Sequence, residues 1–95
     1  MYPEIQSFAP LAANKIYFEF ESGETGIFDM SPYLKSSFFS QLHDEQYFRR
    51  ARLEFGVITW PNGQDISPAT IRLEMTPCER PEGIELKTAN ITANA

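Results

Sequence analysis

Residues 16–21 alternate, with Ile16, Phe18 and Phe20 set against Tyr17, Glu19 and Glu21. This is the period-two signature of a β-strand. Ser22-Gly23 then reverses the chain into residues 24–30, which predicts a hairpin closed by a two-residue loop. That loop length sets a register with Glu21 opposite Glu24, Phe20 opposite Thr25 and Phe18 opposite Ile27 on one face, and Tyr17 opposite Phe28 on the other. Both faces are then partly apolar, so the second is expected to meet a helix, another protomer or a partner.

Upstream, residues 4–9 read as a short strand stopped by Pro10, with residues 11–14 as its connection. Downstream, Ser31-Pro32 supplies an N-cap and a proline at the first helical position, opening one turn through Tyr33 and Leu34. Phe38, Phe39 and Leu42 form an apolar stripe at helical spacing that ends near His43, and Asp44 can cap a further turn containing Tyr47 and Phe48. From Arg50 the period returns to two: Ala51, Leu53 and Phe55 face one way, Arg50, Arg52 and Glu54 the other. Gly56 bends this strand into residues 57–60, a second hairpin whose β-branched and aromatic run is ended by Pro61 and Asn62-Gly63. Ser67-Pro68 then starts a helix reaching about Met75. The expected fold is α+β, a small mixed domain of two β-hairpins plus an N-terminal strand with short helices packed on the sheet, over residues 1–80. Residues 81–95, small and polar, read as a flexible C-terminal tail in which the alternating Ile84 and Leu86 could still add an edge strand.

Ninety-five residues with 42% apolar and 14% aromatic content suffice for one core and leave no room for a second domain. Thirteen acidic against eight basic residues give a net charge of −5, so the surface as a whole repels phosphate backbones and anionic membranes and favours a positively charged partner. Cys78 is the single cysteine, which excludes an intramolecular disulfide and thiol-rich zinc sites. No run approaches the roughly 20 apolar residues of a membrane span. Met1-Tyr2-Pro3-Glu4 lacks the basic start of a signal peptide, so a cytoplasmic location is expected.

The residues able to carry chemistry are few. Glu79 beside Cys78 disfavours a thiolate there, and a helix end meeting an N-cap accounts for His43 next to Asp44. Asp29 and Asp65 each precede a Ser-Pro pair; as an acid/base pair they would have to converge at one sheet edge, whereas as turn residues each binds the N–H groups of its own turn. Turn chemistry accounts for both. No spacing suits zinc or calcium and no glycine-rich phosphate loop occurs, so no catalytic residue, metal or cofactor is assigned. Arg49, Arg50 and Arg52 form the one basic cluster, with Tyr47 and Phe48 nearby to stack on unpaired bases, which is the nucleic-acid alternative; the net charge weighs against it. The partner-binding candidates are Trp60, which reads first as a sheet-packing aromatic before its rigid turn and as an anchor where it is exposed, and Tyr17 and Phe28 on the second hairpin face.

The order Pro10-Leu11, the run from Ile16 through Phe20-x-x-Gly23 to Asp29-x-x-Pro32, then Phe38-Phe39-Ser40-Gln41-Leu42, Tyr47-Phe48 and Trp60-Pro61-Asn62-Gly63-x-Asp65 resembles a small bacterial domain family of unknown function, DUF 2442. The resemblance covers about residues 4–75. It implies a small α+β domain and brings no catalytic residues. Some members are encoded beside another small protein in an arrangement similar to a toxin and antitoxin pair, and others carry a helix-turn-helix domain after this one. The twenty residues after Met75 here are rich in Pro, Thr, Ala and Asn, so an appended DNA-binding helix is not expected. The preferred expectation is therefore a non-enzymatic protein-interaction module, antitoxin-like or regulatory, with a small basic partner. A nucleic-acid-associated regulator is the alternative and a small-substrate enzyme the last choice. A homodimer through open hairpin edges is a further expectation.

Overall fold

The computed structural model describes residues 4–88 and has two antiparallel sheets with short helices, the small α+β domain that the hairpin patterns imply. Strands β1 (Ile5–Leu11), β2 (Lys15–Phe20) and β3 (Thr25–Asp29) form a meander. The β2–β3 hairpin is one residue out of the expected register, with Ile16 opposite Phe28, Tyr17 opposite Ile27 and Phe18 opposite Gly26. The cause lies in the loop. The Phe20 N–H donates to the Glu24 carbonyl at 2.9 Å and the Gly23 N–H to the Phe20 carbonyl at 2.9 Å, leaving three residues, Glu21 to Gly23, outside the ladder. Gly23 takes φ 95°, a left-handed conformation that closes a three-residue hairpin at little steric cost. A one-residue shift moves a side chain to the other face, so Phe28 joins Ile16, Phe18 and Phe20 on the inner face and Tyr17 stays on the outer one.

The second sheet follows three short helical stretches, the first a 3₁₀ turn at Ser31–Tyr33 whose cap position is Met30 rather than the expected Ser31. A 3₁₀ turn at Ser40–His43 buries Leu42, but Phe39 is half-buried and Phe38 exposed, so the expected apolar stripe does not form one continuous helix. Asp44 caps α1 (Glu45–Phe48), its carboxylate accepting from the Gln46 and Tyr47 N–H groups, as the sequence leads one to expect. Strands β4 (Arg52–Glu54) and β5 (Val57–Thr59) make the second hairpin. Phe55 sits in its two-residue loop rather than facing inward with Ala51 and Leu53. After Trp60 the chain turns once more into β6 (Asp65–Ile66), which pairs back on β5 before α2 (Pro68–Glu74) begins. The Ser67 hydroxyl caps α2 by accepting from the Thr70 N–H.

The last described segment belongs to the first sheet. Strand β7 (Thr76–Pro77) pairs with β3 at one edge and β8 (Lys87–Thr88) with β1 at the other, giving the order β7-β3-β2-β1-β8. Gly26 is the point of closest approach to β7: a Cβ there would lie 2.7 Å from the Thr76 carbonyl oxygen. Because β8 reaches only Ser7 and Phe8, Pro10 continues β1 where that strand is again an edge and its missing N–H costs no ladder bond. The edge strand expected at Ile84 and Leu86 forms just after them instead, at Lys87–Thr88 within the expected tail; residues 89–95 lie outside the described residues.

Residues from both sheets and both helices share one core, including Phe8, Phe18 and Phe20 from the inner face, Phe48 from α1, Leu53 and Ile58 from the second sheet, Trp60 just after β5, and Ile71 from α2. Among the described residues, no helix is long and apolar enough to cross a membrane.

Candidate interaction surface

The three partner-binding candidates of the sequence are all buried. Phe28 stacks on Tyr33 at 5.8 Å between ring centroids, and Tyr17 has no exposed surface. Trp60 stacks on Phe48 at 6.0 Å and donates its indole N–H to the Phe48 carbonyl at 2.8 Å. These contacts anchor a polar network beneath the Pro61-Asn62-Gly63 loop. The Tyr47 hydroxyl accepts from the Asn62 N–H at 2.8 Å and donates to Gln64 Oε1 at 2.6 Å. Gln41 Oε1 accepts from Asn62 Nδ2 at 2.7 Å and from Gln64 Nε2 at 3.4 Å. Trp60 is therefore a structural pillar whose faces are committed to the core.

What reaches the surface is Phe55. It stands fully exposed at the tip of the β4–β5 hairpin, with φ 52°, followed by Gly56 at φ 78°. Positive φ at both central positions is the demand of the tight hairpin turn, which favours Asn-Gly; a phenylalanine there is strained by roughly 1–2 kcal/mol. Beside it runs a cleft of about 280 Å³ lined by Glu4, Phe55, Gly56, Val57, Ser67, Pro68 and Ala69. Ala69 also borders a second cleft of about 490 Å³ with Glu24, Arg72 and Leu73. Leu73, on the outer face of α2, is exposed as well. Hairpin tip and helix together make an apolar ledge whose neighbouring arginine is already paired: Arg72 Nε lies 2.6 Å from Glu24 Oε1. Extending the alternating pattern one residue too far hid Phe55; the two-residue span before the Val57 run was the available signal.

The basic cluster is dispersed. Arg49 pairs with Glu45 at 3.0 Å and donates to the Pro10 carbonyl, Arg52 pairs with Glu54 at 2.9 Å, and Arg50 precedes β4 in an exposed turn. Asp29 Oδ1 accepts from the Ser31 N–H at 2.9 Å, a bond that holds its carboxyl below the usual range. Asp65 lies in the other sheet, on β6, so the two aspartates do not share one sheet edge. The Asp44 carboxylate, occupied with the α1 N–H groups, does not orient His43, which is exposed. Cys78 is a half-buried free thiol whose backbone exchanges hydrogen bonds with Thr25. Among the described residues, no three His, Cys, Asp or Glu side chains converge as metal ligands would.

A second polar cluster occupies the outer face of the first sheet, and nothing in the residue pattern announced it. Glu19 Oε1 accepts from the Ser7 hydroxyl at 3.1 Å and Glu19 Oε2 from the Tyr17 hydroxyl at 2.8 Å. Arg80 adds a two-pronged contact, Nε to Oε2 at 2.6 Å and Nη2 to Oε1 at 3.0 Å. The guanidinium first, with the two hydroxyls helping, pulls the Glu19 carboxyl below its ordinary range, while burial first and Glu19 second raise the Tyr17 phenol.

Residues 5–75 match the family model described as Protein of unknown function (DUF2442), and the chain belongs to that family. No curated protein and no solved structure matches it.

Proposed function

We propose that this DUF2442 domain is a non-enzymatic interaction module that engages a protein partner through the Phe55 tip and the outer face of α2. The observation that carries the reading is Phe55 itself. A large apolar side chain held fully in water, in a backbone conformation that penalises it, opposes both solubility and stability, and binding is the return that offsets both. The neighbouring Leu73, Ala69 and Val57 supply the area around such an anchor. The net charge of −5 would steer a basic partner towards it, as the neutralising or regulatory member of a two-protein pair requires.

Phe55→Asn tests this directly, because asparagine suits the turn and removes the anchor. The variant should be more stable than the parent by about 1 kcal/mol in urea unfolding. It should also lose the protein captured by the immobilised parent domain from its native lysate, and Leu73→Gln should weaken the same capture. Retention of that partner by both folded variants would overturn the assignment of this surface.

A further inference from the structure

The geometry points to a second recognition site on the outer face of the first sheet, which reads an arginine of a basic protein partner and is occupied in this chain by Arg80 of its own C-terminal strap. The strap is residues 78–86, the crossing between β7 at one sheet edge and β8 at the other. Its contact with Glu19 places that crossing over the face that carries Ser7, Ala9 and Tyr17.

The two halves of the ion pair are built differently. The Glu19 side chain is 15% exposed and the Arg80 side chain 57%. Ser7 and Tyr17, both buried on the sheet, aim one hydroxyl at each carboxylate oxygen. The carboxylate is thus a preorganised receptor, and its two remaining directions match the fork of a guanidinium better than the point charge of an ammonium. Arg80 shows the ligand chemistry by filling it.

The cover over this receptor is held unevenly. Cys78, Pro81, Ile84 and Leu86 are half-buried, whereas Glu79, Arg80, Glu82, Gly83 and Glu85 between them are exposed, so the stretch that carries Arg80 has little apolar area of its own to fix it. Those ends are two-residue strands, the second secured by Lys87 Nζ, which donates to the Arg49 and Ala51 carbonyls at 2.6 and 3.0 Å. The strap can lift in its middle while both anchors stay in place. Ser7, Tyr17 and Glu19 lie inside the residues that match the family, 5–75, whereas the strap lies beyond them. This site is separate from the Phe55 ledge and stands whether or not that ledge binds a partner.

The test uses the full chain and tetra-arginine as the probe, with tetra-lysine as its equal-charge control, followed by NMR. In Arg80→Ala, tetra-arginine should shift the Ser7, Tyr17 and Glu19 resonances and bind about tenfold more tightly than tetra-lysine. The parent should bind it about tenfold more weakly than Arg80→Ala, because the tethered Arg80 competes at high local concentration. Adding Glu19→Gln should abolish the preference for arginine. Arg80→Lys, which keeps the charge and loses the fork, should fall between the parent and Arg80→Ala. Equal binding of the two peptides, or tetra-arginine shifts that survive Glu19→Gln, would reduce the site to general attraction by an acidic protein and overturn the inference.

Discussion

The Glu21-Ser22-Gly23 and Pro61-Asn62-Gly63 loops are built on one backbone plan and have opposite surroundings. In each, a buried aromatic residue, Phe20 or Trp60, accepts from the glycine N–H and donates its own N–H to the carbonyl four residues on, with all four bonds at 2.9 Å. The two glycines share the left-handed conformation, at φ 95° and 98°. Above the backbone the likeness ends. The first loop is tied down by exposed groups: Ser22 and Arg72 meet at Glu24, and the Glu21 N–H donates to the Glu4 carbonyl at 2.8 Å. The second closes over Tyr47, Gln41 and a Gln64 that is 4% exposed. A shared turn geometry therefore says little about a loop's role; the polar groups beneath it decide whether the loop is a link or a keystone.

The largest effect should come from Trp60→Ala. Loss of a buried indole, and of the donor to the Phe48 carbonyl, should cost about 3–5 kcal/mol in urea unfolding. A cost below about 1 kcal/mol would show that the second loop is no better anchored than an exposed turn. Tyr47→Phe isolates the polar part of that anchoring. It removes one hydroxyl and leaves the Asn62 N–H and Gln64 Oε1 without their partner, a loss of about 2 kcal/mol with little change in packing. The first loop has no equivalent residue, so Ser22→Ala at its exposed site should move the midpoint hardly at all.

Gly23→Ala and Gly63→Ala examine the shared part. Neither position has a heavy atom within 4 Å of a built Cβ, so the cost is backbone strain alone, about 1–2 kcal/mol at each. Equal losses would establish the common plan; a clear inequality would mean that the network under the second loop redistributes the strain.

The same comparison explains which features could be read from the residues alone. The Asp44 and Ser67 caps and the Pro68 helix start are local signals that form where expected, whereas the Ser31-Pro32 pair opens a 3₁₀ turn with Met30 at the cap position and no side-chain cap bond. The hairpin register is not local. Ser22-Gly23 fits a two-residue loop as well as the last two positions of a three-residue one, and Glu21 and Glu24, polar and exposed in both, give the pattern no means of choosing. That single residue decided whether Phe28 faced a partner or the core. Trp60 was open for a related reason: an aromatic next to a rigid turn looks the same in sequence whether it points outward as an anchor or, as here, packs down onto Phe48. The Glu19 and Arg80 cluster joins residues 61 apart through a strap with no buried side chain, so hydrophobic periodicity carries no trace of it.

The smallest predicted effect concerns pH. Hydrogen bonds from Arg72 first, and from Ser22 next, hold the Glu24 carboxyl below its ordinary value of 4.5. A carboxyl depressed on folding stabilises the folded state above its unfolded value, and that contribution disappears as the pH falls through the folded value. Solvent and salt screen the exposed Arg72 pair, so the change should be local rather than a general unfolding. Beneath the second loop the groups are amides and a phenol, with no carboxylate to titrate in the acid range. In an NMR titration from neutral pH downwards, the Glu24 amide should therefore move with a midpoint below the ordinary carboxylate range, while the Asn62 amide, donor to Tyr47, holds its position. A shared midpoint and a comparable amplitude at Asn62 would mean that acid loosens both loops together, and the distinction between link and keystone would fail.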